Sequence, residues 1–346
     1  MKQFYVGLSS DFVKPDGTPA FPSFDFSPLQ NDPHVALRFV PVVNGRIQAE
    51  EMEGLDALIL LGARFDAQSF PADDRLKLIA RFGVGYDNVD VAACTHNHVA
   101  LVITPNGVRR PVAVAILTFL LALSGKLLQK DRVAREGPSG WAKRSALMGQ
   151  GLVGQTLGSI GVGNIGLEMF RLATPLGMRF IAYDPVANSK ALKECEIELA
   201  TLEDVFCRSD YLAINCPLTT DTTGLVNAHR LSLMKPSAYL INTARGAIVD
   251  TKALYEALVS GQLAGAALDV FEDEPLPEDE PILQLENVIV TPHALCWTDQ
   301  CFAGIGADDV AAVKAVMAGA LPMGIVNKEI TEDLRWLSKL REHLRA

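Results

Sequence analysis

The second half of the chain alternates short apolar runs with segments of helical periodicity. Between residues 157 and 290 these runs carry almost no charge, and the segments between them can each hold a helix or a loop. The predicted strands cover residues 157–162, 179–183, 211–215, 238–242, 264–268 and 288–290. Runs of this kind are typical of parallel strands, which are buried on both faces. We therefore predict one doubly wound α/β domain over residues 104–296.

The first hundred residues show the same alternation less regularly. Strands are predicted at residues 4–8, 35–40, 55–60 and 100–103. An apolar helix over residues 112–128, with Pro111 in its first turn, then crosses into the domain described above. A further helix from Trp297 to about residue 317 is expected to pack back on the first segment. The first domain is therefore predicted to combine residues 1–103 with 297–346, where Leu334, Leu337 and Leu340 form one apolar stripe in the tail.

Composition narrows the class of protein. The chain has 346 residues, of which 49% are hydrophobic and 21% charged, so it can bury two sizeable cores. Its net charge of −10 argues against nucleic acid as a partner. None of its six cysteines forms a CxxC pair or a His/Cys ladder for a metal, which favours reduced thiols and a cytoplasmic location. The N-terminus lacks the apolar stretch of a signal peptide, and the uncharged apolar run over residues 111–125, 15 residues long, is short for a membrane span.

The sequence Gly161-Val162-Gly163-Asn164-Ile165-Gly166 follows a predicted strand and opens a predicted helix. This is the context of a dinucleotide-binding turn, in which the glycines permit a tight turn, close approach of the pyrophosphate and helix–strand packing. Asp184 ends the next strand, where a carboxylate accepts hydrogen bonds from the adenosine ribose and repels a 2′-phosphate. The sequence therefore predicts NAD as the cofactor, and NADP is disfavoured.

Three residues with the chemistry of an acid/base site follow later predicted strands. His293 can exchange a proton near neutral pH, and Glu274 can orient its ring. Arg245 offers a guanidinium that can hold a carboxylate. Taken singly, each residue also has an ordinary structural interpretation: a loop histidine, one of several acids in a charged loop, and a surface ion pair.

From about residue 79 to 298 the chain resembles the D-isomer-specific 2-hydroxyacid dehydrogenase family, which includes glyoxylate/hydroxypyruvate reductases and phosphoglycerate dehydrogenases. The resemblance rests on the glycine turn with Asp184 and on further motifs. These are Arg81-Phe82-Gly83-Val84-Gly85-Tyr86-Asp87-Asn88-Val89-Asp90, Cys216-Pro217-Leu218-Thr219, Asn242-Thr243-Ala244-Arg245-Gly246, Leu268-Asp269-Val270-Phe271-Glu272-Asp273-Glu274-Pro275 and Thr291-Pro292-His293. It implies two flavodoxin/Rossmann-like doubly wound parallel-sheet domains with a cleft between them, usually in a homodimer, with Trp141 in the segment that forms the dimer contact.

The resemblance also implies the roles of individual residues. His293 is the acid/base, Glu274 its partner, and Arg245 binds the 2-keto or 2-hydroxy acid, whose carboxylate is held by the backbone N–H groups of Val84 and Gly85. The cofactor contacts it implies come from Gly161, Gly163, Asn164, Ile165, Gly166, Asp184, Cys216, Pro217, Thr222, Thr243, Ala244, Arg245, Asp269 and His293.

Three residues depart from the family pattern or add charge to it. Trp297 lies where family members usually carry small residues, and it either lines the substrate pocket or serves packing. Arg109 and Arg110 either contact a second anionic group of the substrate or are solvated charges at a helix start.

Two rival functions remain open at this point. Formate dehydrogenases resemble the family but pair the histidine with Gln, so Glu274 argues against that activity. An NAD-sensing binding protein, like the corepressors of the same fold, retains the three residues. The sequence does not identify the acid.

Overall fold

Fourteen strands, almost all parallel, organise the residues that the computed structural model describes, which are 2–187 and 189–342. The chain divides into two units: unit 1 is Met1–Val108 with Trp297–Ala346, and unit 2 is Arg109–Cys296. The strands of unit 1 are β1 (Phe4–Ser9), β2 (Val35–Val40), β3 (Val42–Val43), β4 (Arg46–Ile47), β5 (Ala57–Leu60), β6 (Leu78–Arg81) and β7 (Ala100–Val102). Those of unit 2 are β8 (Thr156–Ile160), β9 (Arg179–Tyr183), β10 (Glu198–Leu199), β11 (Tyr211–Ile214), β12 (Tyr239–Asn242), β13 (Gly265–Leu268) and β14 (Val288–Val290).

The helices connect these strands. They are α1 (Ser27–Gln30), α2 (Val91–His96), α3 (Pro105–Gly125), α4 (Leu127–Arg135), α5 (Pro138–Trp141), α6 (Asn164–Ala173), α7 (Ser189–Glu194), α8 (Leu202–Arg208), α9 (Ala228–Leu233), α10 (Thr251–Val259), α11 (Asp299–Met317) and α12 (Leu334–Glu342). Several begin at a side-chain N-cap that accepts a backbone N–H in the first turn, as do Asp250 before α10 and Thr298 before α11.

Each unit has its own parallel sheet. In unit 1 the order is β2-β1-β5-β6-β7, and in unit 2 it is β10-β9-β8-β11-β12-β13-β14. The central strands of unit 2 are fully buried, because helices cover both faces of the sheet. The predicted class, α/β with two doubly wound parallel-sheet domains, is confirmed. Four observed strands were not predicted from the sequence: β6, which precedes the Val84 loop, and the short strands β3, β4 and β10.

The crossing helix begins earlier than predicted. α3 starts at Pro105, so Pro105 occupies its first turn and Pro111 lies inside the helix. Arg109 and Arg110 are consequently in the second turn, and the prediction that they stand at the helix start was wrong.

α3 is also longer than the uncharged run suggested. Among the described residues, it is the one helix long and apolar enough to cross a bilayer by length and composition, yet 56% of its apolar window is buried. Ile116, Phe119 and Leu120 pack in the core of unit 2. We therefore interpret α3 as a core helix, as predicted.

The predicted apolar stripe of the tail was right for Leu340 and wrong for Leu334. In α12 the buried side chains are Trp336, Lys339 and Leu340, whereas Leu334 is 83% exposed. The Trp336 Nε1 donates to the Lys77 carbonyl at 2.9 Å, which fixes the face of α12 that packs against the rest of unit 1. Residues 343–346 of the predicted tail lie outside the described residues.

Candidate functional site

The predicted site residues of unit 2 follow strands that end at one edge of its sheet. Because β8 and β11 to β14 run parallel, the loops after them emerge together. The chain first extends the sheet through β9 and β10 and then returns to β11 beside β8, which makes the β8/β11 boundary a switch point of the topology. In open α/β sheets, ligands bind at the carboxyl edge next to such a point.

The three glycines of the dinucleotide turn meet three different steric demands. Gly161 has φ +93°, and a Cβ there would lie 2.7 Å from the Asn215 carbonyl carbon. A Cβ on Gly166 would lie 2.7 Å from the Gly161 oxygen, so helix and strand approach closely. A Cβ on Gly163 would meet no heavy atom of the described residues within 4 Å. The open side of the turn is thus at Gly163, at the N-terminus of α6, where a pyrophosphate could approach.

Asp184 is bound to this turn. Its Oδ2 accepts the Val162 N–H at 2.8 Å, and its Oδ1 accepts the Val186 N–H at 2.9 Å. These bonds orient the half-buried carboxylate beside the glycine turn. Each oxygen retains a lone pair that can accept a ribose hydroxyl. The residues present therefore suit a dinucleotide.

The loop after β11 carries Cys216 and Pro217 across the switch point. The Thr222 hydroxyl donates to the Pro217 carbonyl at 2.7 Å and accepts the Thr219 N–H at the same distance, which closes the loop. Burial raises the pKa of Cys216 to about 11, so the thiol is protonated near neutral pH and is a poor nucleophile. This loop can contact a ligand without reacting with it.

His293 and Glu274 are in direct contact. The His293 Nδ1 lies 2.8 Å from the Glu274 Oε2, and the other carboxylate oxygen accepts the Phe271 N–H at 2.9 Å. Both side chains are partly exposed, so the imidazole Nε2 can be reached by a ligand. His293 has φ +53°, an uncommon backbone conformation for a non-glycine residue.

The backbone around His293 is held by Asp269. This carboxylate is 3% exposed and accepts the Thr291 hydroxyl at 2.6 Å, the Ala294 N–H at 2.9 Å and the Leu295 N–H at 3.2 Å. It therefore binds the loop on both sides of His293. Sequence reasoning assigned Asp269 only a cofactor contact, which stays a prediction.

The Arg245 loop is joined to the Glu274 loop by backbone contact. Asn242 is buried, and its amide accepts the Ala244 N–H at 3.0 Å and donates to the Arg245 carbonyl at 2.9 Å. A Cβ on Gly246 would lie 1.8 Å from the Phe271 carbonyl carbon, so only glycine allows this approach. Asn242 and Gly246 had no predicted role of their own. The signal for Asn242 was an amide at the end of an apolar strand.

Val84 and Gly85 lie in unit 1, in the loop that follows β6. The Gly83 N–H donates to the Thr104 hydroxyl at 2.9 Å, and Gly83 has φ +126°, which turns the chain sharply before Val84. Val84 and Gly85 are both partly buried.

The remaining candidates differ in their surroundings. Arg110 donates to the buried Glu168 of α6 at 2.9 Å, so its guanidinium is held by a carboxylate of unit 2, and both Arg109 and Arg110 are exposed. Trp297 is 53% exposed, and its ring stands edge-on to Phe21 and Phe302.

Comparison with known proteins identifies the family. Residues 117–294 match the model described as "D-isomer specific 2-hydroxyacid dehydrogenase, NAD binding domain". The chain is 37% identical to a glyoxylate reductase of Korarchaeum cryptofilum, over 83% of this chain and 87% of that protein. It is 36% identical to a D-3-phosphoglycerate dehydrogenase of Archaeoglobus fulgidus, over 75% of this chain and 49% of that protein.

A solved structure agrees with this result. The crystal structure of the TT0316 protein from Thermus thermophilus superimposes with a TM-score of 0.79 at 30% identity, over 93% of this chain and all of that one. The similarity thus extends over both units. The chain belongs to the D-isomer-specific 2-hydroxyacid dehydrogenase family and is an oxidoreductase with a nicotinamide-dinucleotide-binding domain.

Proposed function

We propose that the protein interconverts a 2-keto acid and its D-2-hydroxy acid with NAD(H), using His293 as the acid/base. The contact between the His293 Nδ1 and the Glu274 Oε2 supports this proposal most strongly. Because the Nδ1 atom contacts Glu274, Nε2 is the ring atom that can exchange a proton with a substrate. His293 lies at the sheet edge that also carries the glycine turn.

Each of the three residues of unit 2 has a separate role in the reduction. When bound, the reduced nicotinamide supplies a hydride to the substrate C2. His293 donates the Nε2 proton to the developing alkoxide, and Glu274 keeps the ring in the productive orientation. Arg245 binds the substrate through its guanidinium and stabilises the negative charge that grows on oxygen.

Unit 1 contributes main-chain donors in this proposal. The N–H groups of Val84 and Gly85 bind the substrate carboxylate, because two adjacent amides match two carboxylate oxygens. The turn at Gly83 supports this role, since it leaves the following segment outside regular structure.

The cofactor we propose is NAD rather than NADP. Asp184 is anchored to the glycine turn by the Val162 N–H, so its charge would lie beside the adenosine ribose of a dinucleotide bound at that turn. A 2′-phosphate there would meet a negative carboxylate and be repelled by it.

We further propose a homodimer formed through the segment that follows α3. Large apolar side chains are exposed along it: Leu127, Leu128, Trp141, Met148 and Val153. Trp141 is 63% exposed, and Arg144 lies over its ring. Such a concentration of exposed apolar residues is typical of an interface.

The acid/base assignment predicts a large loss of turnover in His293→Ala. Its kcat for reduction of 2-keto acids should fall by about 10²–10⁴, because the proton donor is removed. NADH absorbance with a panel of 2-keto acids measures this, and His229→Ala, in an exposed histidine of α9, is the matched control. An unchanged kcat in His293→Ala would exclude the role, and tight NADH binding without turnover of any acid by the wild type would indicate a sensor.

The open side of the glycine turn predicts a selective binding defect in Gly163→Ala. The variant should fold normally, since no described atom occupies the space, but its Kd for NADH should rise at least about tenfold. Calorimetry and thermal unfolding separate the two effects. Gly151→Ala, where the space is also open, should bind NADH as the wild type does. Equal affinities in both variants would contradict the proposed position of the pyrophosphate.

The position of Asp184 predicts the choice of cofactor. The wild type should use NADH with a kcat/KM on the order of 100-fold above that for NADPH, and Asp184→Asn should narrow this ratio at least about tenfold. Glu256→Ala, in an exposed acid on α10, should leave the ratio unchanged. A wild-type preference for NADPH would refute the assignment.

The dimer proposal predicts a solution mass twice the 37.4 kDa of the chain, measured by light scattering. Trp141→Glu should lower this mass, because it places a charge in an apolar interface. A monomer at every concentration would rule the dimer out.

A further inference from the structure

Unit 1 contains an aromatic cluster that none of the proposed catalytic steps uses. Most of its rings come from the loop between β1 and α1, and they pack on Phe82 and Phe302. The ring-centroid distances are 5.0 Å for Phe12–Phe82, 5.0 Å for Phe24–Phe82, 5.6 Å for Phe21–Phe82, 4.1 Å for Phe21–Phe302 and 6.1 Å for Phe82–Phe302.

One end of this aromatic cluster is open to solvent. Phe12, Phe24 and Phe82 are at most 7% exposed, which accounts for them as core residues. Trp297 stands edge-on to both Phe21 and Phe302, at 5.4 Å from each, and is nevertheless 53% exposed. Two ring contacts therefore hold the indole in place while much of its surface remains available to a ligand.

The aromatic cluster is connected to the loop proposed to bind the substrate carboxylate. Phe82 directly precedes Gly83, and the amides of Val84 and Gly85 follow. The ring centroid of Phe21 lies 5.6 Å from that of Phe82, and the ring centroid of Trp297 lies 5.4 Å from that of Phe21. A continuous series of ring contacts thus leads from the buried Phe82, beside the proposed carboxylate donors, through Phe21 to the exposed Trp297.

We propose that Trp297, supported by Phe21 and Phe302, binds the C3 substituent of the substrate and selects 2-keto acids with an aromatic or bulky apolar side chain. The inference rests on the proposed function, since it assigns a substrate class to that site. Glyoxylate has only hydrogen at this position and gains nothing from such a surface. The known relatives named glyoxylate reductases therefore do not define the preferred substrate of this chain.

The test compares phenylpyruvate with glyoxylate in NADH-dependent reduction. The wild type should show a kcat/KM for phenylpyruvate at least about tenfold above that for glyoxylate, as expected for burial of an aromatic ring on an aromatic surface. Trp297→Ala should lower kcat/KM for phenylpyruvate about 10- to 100-fold and leave the glyoxylate value within about threefold.

Two further variants keep the test decisive. Trp297→Phe retains an aromatic ring and should keep most of the preference, even if the alanine variant fails to fold. Phe39→Ala removes an aromatic residue of unit 1 that is 48% exposed on β2, outside the aromatic cluster, and should change neither substrate.

Three outcomes have distinct meanings. A wild-type preference for glyoxylate overturns the inference and leaves the proposed function intact. Equal losses for both acids in Trp297→Ala, together with a lower Tm, would show a purely structural role and also overturn it. Failure to reduce any 2-keto acid would refute the proposed function itself.

Discussion

The candidate acid/base site depends on the hydrogen bonds that the buried carboxylate of Asp269 accepts. A charge withdrawn from water is tolerated only when hydrogen bonds replace its hydration, and here the donors come from the loop that carries His293. The same strand leads to Glu274, so one short segment both fixes the histidine backbone and supplies the ring's partner. The Gly246–Phe271 approach then ties the Arg245 loop to this segment. The three residues are thereby placed by backbone contacts that do not depend on a ligand.

The parts of this arrangement that could be predicted from the sequence are those with a local signal. The apolar runs over residues 211–215 and 238–242 matched the strands Tyr211–Ile214 and Tyr239–Asn242 to within one residue, because parallel strands buried on both faces leave an uninterrupted pattern. The glycine turn was also predictable, since its spacing reflects steric demands within a few residues.

The parts that sequence reasoning missed depend on contacts between distant residues. The bonds of Asp269 to the His293 loop join residues from two strands, and the Arg110–Glu168 pair joins two helices. In α12 the inward face is set by the Trp336 bond to Lys77, which no periodicity of leucines could indicate. The start of α3 was misjudged because either Pro105 or Pro111 satisfies the preference for proline in a first turn.

In this proposal, the type of reaction and the choice of substrate are determined by residues in different parts of the chain. The proposed chemistry resides at the strand ends of unit 2, whereas the proposed selectivity resides in an aromatic cluster of unit 1 that has no part in the proposed proton or hydride transfer. This separation explains how family membership can establish the reaction class without identifying the acid.

The proposed mechanism requires that a hydride moves directly to C2 and that the site imposes one configuration. Reduction of a 2-keto acid with NADH deuterated at the transferring position of C4 tests this requirement, with the product analysed by mass spectrometry and chiral chromatography. The expected product is a D-2-hydroxy acid carrying one deuterium at C2. A product without the label, or a mixture of both configurations, would contradict it.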